Sequence, residues 1–152
     1  MKIFITVGTT PFNELIKNVD NITSEFKDFS FIFQIAKGEY LPKNGKFFDF
    51  ISDIEHYYND ADIIITHAGA GSIYRLLELK KTIIVVPNMV RVDKHQNDIA
   101  TYMFKHNHVL LLDDFNNTYN ILEKGNNFQP TPFVKKDFFV KDDIIKFIKE
   151  CI

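Results

Sequence analysis

The chain has 152 residues, 45% of them apolar, enough for a real core in one domain spanning residues 1–152 and too few for two comfortable domains. A formal charge of −2 with no basic stripe argues against nucleic acid as the main ligand. The lone cysteine, Cys151, excludes an internal disulfide or thiolate cluster. No apolar run approaches a membrane span or a secretory leader, so a soluble, cytoplasmic protein is expected.

Short β-branched runs alternate with helical patterns. Lys2–Val7 reads as a strand and Phe12–Ile22 as a helix, with Phe12, Leu15, Ile16 and Val19 on one face and Pro11 suited to its first turn. Phe31–Ile35 is a second strand, followed by a loop holding Gly38, Pro42 and Gly45. Phe47–Phe50 reads as a short third strand leading into a helix near Asp53–Asn59. The apolar run Ile63–Thr66 is a strand that meets small residues and then a helix burying Ile73, Leu76 and Leu77. Thr82–Val86 is a strand stopped by Pro87, Lys94–His106 a helix, Val109–Leu112 a strand and Asp142–Glu150 a helix, with a polar loop over Gly125–Pro132. Sixteen phenylalanines without a tryptophan either fill the core or partly cover a surface meant for another chain.

Unbroken apolar strands alternating with helices predict an α/β fold, a Rossmann-like parallel sheet with helices on both faces. Ligands of such sheets bind beyond the carboxyl ends of the strands, which selects the loops Gly8–Pro11, Phe50–Asp53, His67–Ser72 and Pro87–Gln96. The strongest signal is Ile-Thr-His-Ala-Gly-Ala-Gly-Ser at 65–72: a strand enters a glycine loop and then a helix whose first amides lack partners and attract anions. A tight turn without a ligand is the plain alternative. No Gly-Lys-Ser/Thr follows, so it is not a Walker loop, and Tyr74 stands where a dinucleotide fingerprint needs its third glycine. Val90-Arg91-Val92-Asp93-Lys94-His95-Gln96 opens another helix, with Asp93 suited to its N-cap and basic and amide side chains able to meet phosphate and sugar hydroxyls. Val7-Gly8-Thr9-Thr10-Pro11-Phe12 is a third small-residue turn.

Taken together, Val-Gly-Thr-Thr-Pro-Phe at 7–12, His-Ala-Gly-Ala-Gly-Ser at 67–72 and Asp-Lys-His-Gln at 93–96 resemble the C-terminal half of family 28 glycosyltransferases. The likeness runs over roughly residues 1–112 and is strongest to PssE-type subunits of two-part bacterial polysaccharide glycosyltransferases. It implies the donor-binding half of a GT-B fold and a UDP-sugar donor. Phe50 and Ile51 correspond to the segment meeting the uracil edge, Gly69, Ala70, Gly71 and Ser72 to the diphosphate loop, and His95 and Gln96 to residues reaching the donor sugar. Gly8, Thr9 and Thr10 correspond to the loop facing the cleft. Arg75 occupies the position where the family commonly carries a ribose-binding glutamate, and Glu78, a turn further on, is the candidate substitute.

The resemblance further implies a metal-independent hexosyltransferase, without cofactor, acting on a lipid-linked acceptor in capsule or exopolysaccharide synthesis. The acceptor and the general base would belong to a membrane-associated PssD-type partner that brings this chain to the inner face of the membrane. Arg91 and Lys94 are candidates for stabilising the departing diphosphate, and His67 is expected to sit under the glycine loop. His56, His106 and His108 are read as surface or core residues. Asp60-Ala61-Asp62 has the spelling of a metal motif but precedes its strand, at the wrong end for the cleft, and Asp113-Asp114 reads as a turn. A non-catalytic accessory subunit and a nicotinamide oxidoreductase are the alternatives.

Overall fold

The computed structural model describes residues 1–88, 95–135 and 141–150, the side chains of residues 95, 96 and 141–143 excepted. Six strands form one parallel sheet: β1 Lys2–Thr6, β2 Ser30–Gln34, β3 Lys46–Phe48, β4 Ile63–His67, β5 Thr82–Val86 and β6 Leu110–Leu111. Their spatial order is β3-β2-β1-β4-β5-β6, the doubly wound arrangement whose order reverses between β1 and β4.

Period-two alternation divides the core between two faces. Ile3, Ile5, Phe31, Phe33, Ile63, Ile65, Ile84 and Val86 meet α1 (Asn13–Ile22) and α5 (Thr118–Gly125). Phe4, Ile64, Ile83 and Val85 meet α2 (Ile54–Asp60), α3 (Ala70–Glu78) and α4 (His95–Lys105) through Tyr58, Ile73, Leu76, Leu77, Ala100 and Met103. The central strands β1, β4 and β5 are rich in Ile, Val and Phe because both their faces are covered. Helix α6 (Lys141–Glu150) differs: Ile144, Ile145, Phe147 and Ile148 remain exposed.

The expected elements are present, with adjusted ends. Helix α1 starts at Asn13, two residues beyond Pro11, so Pro11 precedes the helix and does not occupy its first turn. Strand β3 ends at Phe48, which leaves Phe50 and Ile51 in the loop beyond its carboxyl end. Helix α5 was not anticipated. Thr118-Tyr119-Asn120 opens it weakly, and it is held by burial of Leu122 and by Gly125, where an added methyl would come 3.0 Å from Ile63 Cδ1. Phe4, Phe12, Phe26, Phe31 and Phe33 are buried in the core, while Phe47, Phe50, Phe104 and Phe147 are exposed.

The long connection between β2 and β3 hangs on one buried carboxylate. Asp20 Oδ2 accepts from the Tyr40 hydroxyl (2.7 Å) and the Lys43 amide (3.0 Å), Oδ1 accepts from the Asn44 amide (2.9 Å), and Asn13 Oδ1 accepts from the Tyr40 amide. Burial alone would push the Asp20 carboxyl up, but these donors outweigh it and hold it below its ordinary value of 3.8. A depressed folded value contributes stability above pH 3.8 that is lost as pH falls through it. Asp20→Asn turns an amide donor against a main-chain donor, and it is expected to cost about 2 kcal/mol at pH 7. In urea denaturation the gap between the two proteins should be constant down to about pH 5 and close below about pH 4. A gap that widens in acid would contradict this assignment.

Candidate functional site

The carboxyl ends of β1, β2 and β4 carry Thr6, Gln34 and Thr66, cross-strand neighbours in register and all buried. Polar groups deep in an apolar sheet need partners. Gln34 has a full set. Its Oε1 accepts from Thr6 Oγ1 (2.7 Å), the Gly8 amide (3.0 Å) and the Val7 amide (3.1 Å), and its Nε2 donates to the carbonyls of Asp49 (2.8 Å) and Gly8 (2.9 Å). Three donors on one atom and two carbonyls on the other fix which way the carboxamide points. The turn after β1 is thereby tied to the turn after β3.

Above this layer the chain leaves β1 through Gly8 at φ +68°, a left-handed conformation that glycine adopts without cost. The His67 ring lies between this turn and the next: a methyl on Gly8 would fall 2.6 Å from His67 Cε1, and one on Gly69 would fall 2.4 Å from His67 Nε2. The His67 ring is therefore a spacer between the two glycine turns. Gly8 and Thr9 join Gln34, Phe50, Ile51 and Ile54 around a cleft of about 190 Å³. Phe50 and Ile51 are half-exposed at its rim, and Thr10 is exposed beside it.

Helix α3 begins at the same edge. Gly69 is its N-cap, and the first intrahelical bond runs from the Ile73 amide to the Gly69 carbonyl (3.0 Å). The amides of Ala70, Gly71 and Ser72 thus precede the helical ladder, and the first turn carries no acidic residue to neutralise them. Ala70 and Gly71 are exposed, and the space beside Gly71 is open, with no atom within 4 Å of an added methyl. This end of the helix can receive an anion. Ser72 is half-buried, and burial pushes the Tyr58 phenol above its ordinary value.

Arg75 lies further along α3 and is engaged elsewhere. Its Nε and Nη2 donate to the two carboxylate oxygens of Glu55, each at 2.7 Å, and Nη1 lies 3.7 Å from Glu78. That fork holds the Glu55 carboxyl below the ordinary range. Glu78 accepts from Lys135 at 2.7 Å, so both candidates for the ribose position stand in an ion network joining α2, α3 and the segment after α5. Arg91 and Lys94 lie outside the described residues; His95 and Gln96 open α4, but their side chains are not among those described. Asp60 pairs with Lys2 Nζ and Asp62 accepts from the Lys2 amide, at the opposite end of the sheet from the cleft. Asp114 caps a short 3-10 turn through the Asn116 amide, and His106 and His108 stack on the surface, 6.1 Å apart. Among the described residues no three His, Cys, Asp or Glu side chains gather as a metal site, and no helix is long and apolar enough to cross a membrane.

The site thus joins four of the sequence candidates, Gly8, Thr9, Phe50 and Ile51, around one cleft, with His67 linking it to the Gly69–Ser72 start of α3. Gln34, Ile54 and Tyr58 were not anticipated. Gln34 did carry a signal, being a carboxamide inside an otherwise apolar strand.

Residues 2–127 match the glycosyltransferase family 28 C-terminal domain. The chain belongs to this family. It is 34% identical to the human UDP-N-acetylglucosamine transferase subunit ALG13 over 119 residues and 31% identical to the mouse protein over 118; these matches cover 70% of this chain. The chain spans about 10% of the length of those two relatives. It is also 38% identical over 77 residues to the UDP-N-acetylglucosamine–N-acetylmuramyl-(pentapeptide) pyrophosphoryl-undecaprenol N-acetylglucosamine transferase of Phocaeicola vulgatus, covering 51% of this chain and 20% of that one. Among solved structures, the solution structure of ALG13 aligns with a TM-score of 0.65 at 23% identity, covering 97% of this chain and 96% of that one. MurG of Acinetobacter baumannii aligns with a TM-score of 0.67 at 18% identity, covering 84% and 42%. The family 28 fold is therefore that of the C-terminal half of a GT-B glycosyltransferase, as the motifs implied, and the nicotinamide alternative is left without support.

The glycine geometry separates three neighbouring residues. Gly8→Ala forces a side chain into a left-handed turn against His67 and is expected to cost about 1–3 kcal/mol. Gly69→Ala should lose a comparable amount, largely regained when His67→Ala removes the ring. Gly71→Ala should be neutral or gain up to about 1 kcal/mol, since its space is open and alanine favours the helix. Urea titration of the four variants checks the ranking, and equal losses at all three glycines would refute it.

Proposed function

We propose that this chain is the donor-binding part of a UDP-sugar glycosyltransferase, and that the donor lies along the edge formed by the cleft and the start of α3. The observation that carries this is the pairing of an apolar-rimmed cleft (Phe50, Ile51, Ile54) with an open, acid-free helix N-terminus across one His67 ring. A flat base suits the first and a diphosphate the second. Amides already aimed at a diphosphate stabilise the negative charge that grows on it as the glycosidic bond to the sugar breaks, and need no reorganisation to do so. The acceptor hydroxyl displaces UDP from the sugar, and a base takes the acceptor proton. Arg91, Lys94, His95 and Gln96 are assigned to the diphosphate and sugar, as their place in the motif implies.

The names of the human, mouse and P. vulgatus relatives point to UDP-N-acetylglucosamine as the first donor to test. The relatives named as a transferase subunit favour a partner that supplies acceptor and base. We assign that role to a membrane-associated PssD-type chain and the product to capsule or exopolysaccharide, with no metal required. Arg75 in the Glu55 fork leaves ribose recognition to main-chain groups of the cleft.

Calorimetric titration of the chain with UDP should show saturable binding. Gly71→Asp places a carboxylate where helix α3 tolerates it and a diphosphate does not, so it should weaken UDP at least tenfold without lowering the melting temperature. Unchanged affinity in that variant removes the diphosphate from α3. Failure of UDP to bind even with the partner present would favour the accessory-subunit alternative.

A further inference from the structure

The two loops that wall the cleft are joined underneath by side-chain hydrogen bonds of Gln34. Thr6 gives its only hydroxyl proton to Gln34 Oε1 at 2.7 Å, and the same oxygen accepts from the Val7 and Gly8 amides. Gln34 Nε2 divides its two protons between the carbonyls of Gly8 and Asp49. Thr6 and Gln34 are 1% and 2% exposed, so water does not compete for these bonds.

Asp49 is the residue before Phe50, and its carbonyl also accepts from the Ala36 amide at 3.1 Å. Ala36 and Lys37 both stand in the left-handed region, at φ 50° and 59°, a conformation costly for residues with a Cβ that persists only when neighbours hold it. Gln34 and the Ala36 amide meet at that one carbonyl, so the turn after β2 and the approach to Phe50 are fixed at a single point. Gln34 is hydrogen-bonded to both loops that form the cleft wall.

We propose that Gln34 is the positioning residue of the donor cleft: its buried carboxamide sets the Gly8 turn and the Phe50–Ile51 loop at a fixed distance from each other. It touches no ligand itself in this assignment; it acts through Gly8, Val7 and Asp49. The inference rests on the donor-site reading above, and it concerns the base-side wall and not the diphosphate end.

The discriminating variant is Gln34→Glu, which matches the shape but turns a carboxylate towards two carbonyls. Only a protonated carboxyl can donate to either, and burial favours that form, so in this variant the contacts are partly restored as pH falls. Two readouts on the full chain separate the proposal from the reading beneath it. Amide hydrogen exchange, which needs no ligand, should speed up at least tenfold at Val7, Gly8 and Ala36 in Gln34→Glu at pH 7.5. It should recover in part at pH 5.5 once the intrinsic pH dependence of exchange is removed, while amides of β4 and β5 change less than twofold. Titration with UDP and with inorganic pyrophosphate should show UDP weakened at least tenfold and pyrophosphate within twofold of the unaltered chain. Acceleration by the same factor throughout the sheet would make Gln34 an ordinary stabilising residue and overturn the proposal, as would UDP affinity unchanged beside localised exchange. If the unaltered chain binds no UDP, the donor reading fails by itself, and the exchange pattern still decides whether Gln34 sets the two loops. Should Gln34→Glu not fold, Gln34→Asn, one methylene shorter, must reproduce the localised exchange at Gly8 or the proposal falls.

Discussion

A parallel sheet brings every strand's carboxyl end to one edge, and there the backbone must turn away without leaving buried polar groups unpaired. In this chain the Thr6–Gln34 pair meets that demand: one carboxamide serves the amides of Val7 and Gly8 and the carbonyls of Gly8 and Asp49. A water molecule could satisfy the same groups, but it would not hold them at a fixed spacing. The cleft exists because the residues lining it are tied from below, by a side chain that is itself locked between β1 and β3.

The spacing of the second wall depends on sterics where the first depends on hydrogen bonds. The His67 ring lies against Gly8 on one side and Gly69 on the other, at distances that leave no room for a methyl. Glycine at these positions therefore answers to a neighbour's ring, and at Gly8 to a positive φ as well. Gly71 answers to neither. Its openness, together with the absence of acid from the first turn of α3, keeps the helix end accessible and electropositive. Three glycines a few residues apart in space thus serve three separate physical purposes.

The sheet was legible in the sequence because its strands announce themselves by content: Ile63-Ile64-Ile65 and Ile83-Ile84-Val85-Val86 can be buried on both faces and little else. The cleft-lining Gly8, Thr9, Phe50 and Ile51 were legible as loop residues beyond the carboxyl ends of strands, Phe50 and Ile51 also through the family motif. What escaped was held by distant partners. Helix α5 has little intrinsic tendency to form and exists through Leu122 and the contact of Gly125 with Ile63. Gln34 stands out in its strand only as a polar letter, and its role arises only when Thr6, 28 residues away, comes alongside in register.

Helix α2 shows how these layers combine. It follows directly from the Phe50–Ile51 loop, so wherever α2 sits, the rim of the cleft follows. It meets α3 inside and outside: Tyr58 is buried in one apolar cluster with Ile73, Leu76 and Leu77, and Glu55 pairs with Arg75 on the surface. The outer pair is exposed and screened by salt, so the inner packing dominates the fixing of α2. Arg75 is thereby committed to the scaffold, and the pairing of Glu78 with Lys135 continues the same outer strap towards the segment after α5. A site assembled this way owes its shape to the spacing between helices, and that spacing is set by residues that need not touch the ligand.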